Sequence, residues 1–196
     1  MIARHRVAFG RANRYLRDMY KDNSLIPTEA VRLAALGLLT EGPRSYAELA
    51  DEVRHFTSRI VGPSLDLIGP PIEVLRVEGL IESAGGGAGP AAALRITEAG
   101  RQELMRLLGA NLRGPLGEFN KLVIALKLRF LPLLEPAARR LQAELLAEIC
   151  ERELTRLTDL RRHYEGRSGH LIDWLDHDIA QVEQRLGWFR SLQDRL

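Results

Sequence analysis

Residues 80–96 read LIESAGGGAGPAAALRI. Leu80-Ile81-Glu82-Ser83 and Ala93-Leu94-Arg95-Ile96 are short segments of strand character. The glycine-rich run from Gly85 to Pro90 gives the backbone the freedom to reverse between them. A β-hairpin is predicted. Glycine runs can also cradle phosphate, but this one lacks the Gly-Lys-Ser/Thr ending of a P-loop and the helix start of a dinucleotide fingerprint, so no nucleotide site is expected here.

Upstream lie three helical segments. Ile26 to Thr40 opens with Pro27 and Thr28, carries Ala30, Val31, Leu33, Ala34, Leu36, Leu38 and Leu39, and stops at Gly42-Pro43, which predicts a buried, capped helix. A second begins at Ser45, where Glu48 at the N3 position completes a capping box, and Tyr46, Leu49, Val53 and Phe56 follow at helical spacing. After Gly62-Pro63-Ser64 comes a third, with Leu65, Ile68, Ile72 and Leu75 as its inward face. A proline lacks an N–H and clashes with the preceding turn, so the regular helix is expected to start close to Pro70. Downstream of the hairpin, Thr97 caps a fourth helix with Glu98 in its first turn and Leu104, Leu107 and Leu108 facing inward. Three helices, a hairpin and a closing helix make a winged helix-turn-helix.

Beyond Gly114-Pro115 the composition turns to long helices rich in Leu, Glu and Arg, over about 116–131 and 136–164, with Glu165-Gly166-Arg167-Ser168-Gly169 turning the chain into a last helix. In that last helix Ile172, Leu175, Ile179, Val182, Leu186 and Phe189 recur at alternating intervals of three and four, a heptad seam. Ala143, Leu146, Cys150, Leu157, Leu160 and Tyr164 match it, interrupted by Glu153. An antiparallel helical hairpin is expected, with more apolar surface than two helices hide, which argues for a homodimer through the seam residues; the alternative is that the arm folds back on its own N-terminal domain. The fold class is therefore mainly α with a small β-hairpin wing: a basic helical segment over 1–24, a winged helix over 25–112 and a helical dimerisation domain over 115–196.

Of the 196 residues 45% are hydrophobic and 28% charged, and no apolar run approaches the roughly 20 residues of a membrane span. The stretch Met1 to Arg17 has no apolar core of a secretory signal, and the single cysteine, Cys150, rules out a disulfide framework, so a cytoplasmic location is expected. A net charge of +2 identifies no partner, but its distribution is uneven: residues 1–24 hold six cations (Arg4, Arg6, Arg11, Arg14, Arg17, Lys21) against Asp18 and Asp22.

The stretch Leu36 to Pro43 followed by Ser45-Tyr46-Ala47-Glu48-Leu49, the segment Leu75 to Ser83, and Leu94-Arg95-Ile96-Thr97-Glu98-Ala99-Gly100-Arg101 resemble the PadR family of bacterial transcriptional regulators. Val182 to Phe189 is similar to that family's final dimerisation helix. The resemblance covers about Thr28 to Leu192 and implies double-stranded DNA as partner, a homodimer on a near-palindromic operator, and a small-molecule effector. Two departures stand out. Family members usually carry Ile-Tyr-Pro in the recognition helix and basic or aromatic residues in the wing, whereas here Ile68-Gly69-Pro70 lacks the tyrosine and the wing has no side chain able to contact DNA strongly. Residues 64–100 hold Arg76 and Arg95 against Asp66, Glu73, Glu78, Glu82 and Glu98, so this surface alone is short of the cations that phosphate neutralisation needs.

The candidate DNA contacts are therefore drawn from the flanks: Arg14 in the basic segment, Arg44, Tyr46 and Arg54 in and before the second helix, Arg59 and Ser64 at the approach to the third, and Arg76 within it. Arg76 is equally placed to pair with Glu73 or Glu78. His170, Asp173 and His177 share one helix face as potential zinc or nickel ligands, though polar faces of coiled-coil helices yield such triplets by chance, and no metal or other cofactor is expected. Cys150 reads as a buried small hydrophobe, and Trp174 and Trp188 as packing or effector-pocket residues. No Ser/His/Asp, paired-carboxylate or HExxH arrangement is present, so no enzyme is expected. The rival readings are a winged-helix interaction or small-molecule-binding protein without DNA function, favoured by the acidic reading surface, and a MarR-like regulator.

Overall fold

The computed structural model describes residues 25–62, 71–85, 92–112 and 117–196. Helix α1, Pro27–Thr40, is buried on every side, with Ala30, Val31, Leu33 to Leu36, Leu38 and Leu39 all within the core, so it is the central element about which the others assemble. Pro27 lies in its first turn, and the Glu29 carboxylate accepts the Ile26 N–H at 3.1 Å. Strand β1, Arg44–Ser45, leads into α2, Tyr46–Val61. The capping box forms as expected: the Ser45 hydroxyl accepts from the Glu48 N–H at 3.3 Å, and the Glu48 carboxylate accepts from the Ser45 N–H at 2.8 Å. Helix α3, Pro71–Val77, buries Ile72 and Leu75, while Leu65 and Ile68 lie outside the described residues, as do most of the wing's glycines.

The hairpin consists of β2, Ile81–Ser83, and β3, Ala93–Ile96, in register Ile81↔Ile96, Glu82↔Arg95 and Ser83↔Leu94. The structure adds a third strand that the sequence did not announce: β1 pairs antiparallel with β3 through Arg44↔Leu94 and Ser45↔Ala93, giving the order β1-β3-β2. Two residues carry no alternation pattern, which is why a strand this short is silent in the sequence. Helix α4, Glu98–Gly109, is capped by Thr97, whose hydroxyl accepts the Gly100 N–H at 3.1 Å and donates to the Gly79 carbonyl at 2.7 Å. A Cβ on Gly100 would stand 2.1 Å from the Leu80 carbonyl oxygen, so glycine is what lets α4 approach the start of the wing.

Helix α5, Glu118–Phe130, presents Leu122, Val123, Leu126 and Phe130 to the same core. Phe130 lies where a Cβ on Gly37 of α1 would fall, at 2.4 Å from its ring, so a glycine in the central helix makes the seat for α5. After a 3-10 turn at Leu131–Leu133, α6, Pro136–His163, and α7, Leu171–Arg195, pack along each other. They run antiparallel, since Arg161 pairs with Asp176 near the turn and Arg190 pairs with Glu151 at 2.7 Å further along. Leu175, Val182, Leu186 and Phe189 are buried against Leu146, Cys150 and Leu157, with Ile172 and Ile179 half-buried at the edge. Thus the heptad seam closes the hairpin within one chain. What the hairpin leaves outside is a different face of α7: Trp174 is 57% and Trp188 47% exposed.

Candidate nucleic-acid interface

Helix α3 is held in place from behind. Arg32 of α1 pairs with the carboxylate of Glu78, just past the end of α3, and lies 3.7 Å from Glu103 of α4. The three helices are thereby fixed by one guanidinium whose Nε has no acceptor among the described residues. A second pairing, Arg106 with Glu103 at 2.8 Å and with Glu29 at 2.9 Å, draws the Glu103 carboxyl below the usual carboxylate range. The pairing of Arg32 with Glu78 did not show in the sequence, where Glu78 is expected beside Arg76, because a helical arginine and a glutamate far apart in the chain carry no shared pattern.

Five of the seven expected DNA contacts are described; Arg14 and Ser64 lie outside the described residues. Arg44 and Arg54 come together in an open groove of about 660 Å³ along the outer side of α2, with Glu48, Asp51, Glu52, His55 and Ser58. Tyr46 is half-buried at the first turn of α2 and packs on the core, which leaves part of its ring at the surface. Arg59 is exposed in the last turn of α2, where the chain heads toward α3, and it makes no ion pair among the described residues. Arg76 sits exposed on α3.

Each of the other described candidate cations, and Arg95 of the wing, has a carboxylate beside it. Arg44 pairs with Glu41 at 2.8 Å, Arg54 with Asp51 at 2.6 Å, Arg76 with Glu73 at 3.0 Å and, across the wing strands, Arg95 with Glu82 at 2.7 Å. Glu78, the alternative partner for Arg76, is taken by Arg32. The Glu48 carboxyl is held below the usual carboxylate range, chiefly by the Ser45 N–H and then its hydroxyl, with the Arg44 charge a smaller contribution, so it stays ionised in the groove. Exposed pairs of this kind are worth at most about 1 kcal/mol, and a phosphate can displace them. The face is a set of arginines held ready but neutralised, with Arg59 the free exception among the described candidates.

Behind this face, α5 grips the helices that carry it. Arg129 stacks over the rings of Phe56 and Phe130, at 5.3 and 5.4 Å from their centroids, and reaches Glu41 at 3.1 Å and Glu52 at 3.7 Å. Lys127, 1% exposed, donates to the Leu108 carbonyl at the end of α4 and to Gln142 Oε1 of α6 at 2.8 Å. Burial pushes its pKa down to about 7. Beside this tie is a cavity of about 300 Å³, where Ala110 to Leu112 meet α6 at Gln142, Leu145, Leu146, Glu148, Ile149 and Arg152.

The remaining polar residues of the sequence reading lie apart from the groove. His170 Nδ1 sits 3.1 Å from an Asp173 carboxylate oxygen, while His177 pairs instead with Gln181 at 2.7 Å, and the described residues contain no group of three or more potential metal ligands. Cys150 is buried in the hairpin, its thiol pKa pushed up mainly by burial. No described helix is long and apolar enough to cross a membrane.

The family model of AphA-like transcriptional regulators matches residues 20–193. No curated protein sequence matches the chain. Among solved structures, it is similar to Bacillus subtilis PadR, at 18% identity over 87% of this chain and 96% of that one with a TM-score of 0.37. It is also similar to the same regulator crystallised with operator DNA, at 19% identity over 84% and 97% with a TM-score of 0.35. The PadR-like transcriptional regulator of Bacillus cereus is similar at 16% identity over 84% and 96%, with a TM-score of 0.34.

Proposed function

Because the chain belongs to the AphA-like family of transcriptional regulators, the PadR type that its sequence resembles, we propose that it is a homodimer that reads a near-palindromic operator and answers to a small-molecule effector. The observation that carries the reading is the groove on α2: Arg44 and Arg54 line it, Arg59, which makes no ion pair among the described residues, is exposed further along the same capped helix, and the third helix is anchored from behind. Arg44 and Arg54 exchange their weak carboxylate partners for phosphates, Arg59 contacts phosphate directly, and Arg76 approaches the bases. In a dimer the two third helices enter major grooves about 34 Å apart.

The dimer surface we assign is the outer face of α7. Trp174 and Trp188 are fourteen residues apart, close to four helical turns, so they share one stripe. Two exposed tryptophans on a stripe are an interface signature, since aromatic side chains bury large area at low entropic cost. Ile172, Leu175, Ile179, Val182, Leu186 and Phe189 then contribute by holding the hairpin rigid under that face. For the effector we assign the cavity between Ala110–Leu112 and α6, which lies between the reading head and the hairpin; a ligand there biases their relative arrangement.

A second reading, a winged-helix protein that binds a protein or ligand but not DNA, draws on the carboxylate beside each of Arg44, Arg54, Arg76 and Arg95. Selection of genomic fragments by the purified protein separates the two. Recovery of one enriched near-palindrome supports the operator reader, and recovery of unenriched fragments only supports the alternative.

A further inference from the structure

Glu41 is the only carboxylate among the described residues that is shared between a candidate DNA contact and the helix that leads to the hairpin. Its Oε2 accepts from Arg44 at 2.8 Å, and its Oε1 accepts from Arg129 of α5 at 3.1 Å. It caps the C-terminal end of α1, where the helix dipole disfavours a negative charge, so the two guanidiniums are what make its position tolerable. Arg44 is fixed by its backbone, which pairs with Leu94 of the wing, and its guanidinium, held by Glu41 and by a long 3.5 Å bond from Nε to the Leu38 carbonyl, is the part that can swing to a phosphate. Arg129 is fixed by its side chain, stacked between Phe56 and Phe130, and moves only with α5.

We propose that Glu41 is a positioning residue that sets the availability of Arg44 to DNA according to the seating of α5. This rests on the reading of the α2 groove as a DNA surface. While α5 is seated, Arg129 meets part of the demand of the Glu41 carboxylate, the hold on Arg44 is divided, and Arg44 departs to a phosphate at low cost. When α5 shifts and takes Arg129 with it, Arg44 is the sole counter-charge of Glu41 and is kept from DNA. The same exchange runs in reverse: phosphate capture of Arg44 leaves Glu41 to Arg129 and tightens α5 on α1, as reciprocity between coupled sites demands. Both pairs are exposed enough that the effect belongs at the few-fold level, up to about fivefold in affinity, the range of exposed ion pairs.

The test is a set of DNA titrations on the full chain, with a duplex from its own upstream region and several salt concentrations, for wild type, E41Q, R44M, E41Q/R44M, R129M and E41Q/R129M. E41Q is expected to bind a few-fold more tightly than wild type. Its counterion slope is expected to be steeper by up to about one phosphate, because Arg44 becomes a full contact. In the R44M background, E41Q is expected to give no such gain in slope, which separates release of Arg44 from the general effect of removing a negative charge. R129M is expected to weaken binding more in the wild-type background than in the E41Q background; R129K replaces it if loss of the stacking on Phe56 prevents folding. Equal effects of E41Q with and without Arg44, or of R129M with and without Glu41, overturn the proposal while leaving the DNA reading intact. A wild-type chain that binds no duplex at any salt overturns both.

Discussion

Lys127 is a lysine buried in the core, and its two acceptors, the Leu108 carbonyl and Gln142, suit the two N–H groups of a neutral amine. Its pKa lies near 7 in the folded chain against 10.5 for a free lysine. Between these values the unfolded chain holds the proton and the folded chain does not, so stability rises with pH across this window; below about 7 both states are protonated and the group adds no pH dependence. Urea unfolding at pH 7 and at pH 9 is expected to show the wild type more stable at the higher pH by up to about 3 kcal/mol, at 1.36 kcal/mol per unit. K127M is expected to lose that increment. A variant with an unchanged pH dependence would show that Lys127 is charged and solvated in the fold. Gly100 offers a second residue-scale test. A helical glycine exchanged for alanine ordinarily gains about 1 kcal/mol, but here the Cβ meets backbone oxygen at 2.1 Å, so G100A is expected to lower the melting temperature by several degrees. G37A, whose Cβ has atoms of the Phe130 ring rather than backbone as its nearest neighbours, is expected to cost less.

At the scale of elements, the wing and the last helix make opposite demands on their exposed side chains. Strand pairing places Arg95 opposite Glu82, and this cross-strand ion pair leaves the described part of the wing with no free cation to offer DNA. E82Q is expected to strengthen binding to duplex DNA a few-fold at low salt, and a gain that persists in R95A would refute the assignment to Arg95. On α7 the inner face carries the fold, and the outer face is the one proposed for assembly. L175A removes a fully buried side chain and is expected to destabilise the hairpin by about 2–5 kcal/mol, whereas W174A/W188A is expected to leave the helix content intact and convert a dimer to a monomer in sedimentation. Both elements were legible in the sequence to different depths. The capping box at Ser45–Glu48, the Thr97 cap and the heptad spacing are local signals, and the structure carries each of them. The third strand at Arg44–Ser45 was not legible, since it exists only through its partner β3. Nor did the seam reveal which face of α7 is left outside, because the inner face carries the stronger period and Trp174 and Trp188 are two isolated residues.

Across the whole molecule, the winged helix and the hairpin meet through α5, and the residues that join them come from distant parts of the chain. Gly37 receives Phe130, Phe56 and Glu41 receive Arg129, and the end of α4 receives Lys127. Such pairings have no sequence period, so the family resemblance anticipated the parts and their order but not the clamp between them. The effector proposed beside Gln142 would have a physical route to the reading face through this clamp, by Lys127 to α4 and by α5 to Glu41 and Arg44. Arg44, Arg54 and Arg76 each lie beside a carboxylate, so in the proposed DNA contact each exchanges that carboxylate for a phosphate. The affinity of the purified chain for its own upstream region, measured from low to physiological salt for wild type and R59A, tests the DNA function most directly. Log affinity is expected to fall linearly with log salt, with a slope shallower by about one in R59A. Binding that is absent, or indifferent both to salt and to Arg59, would contradict it.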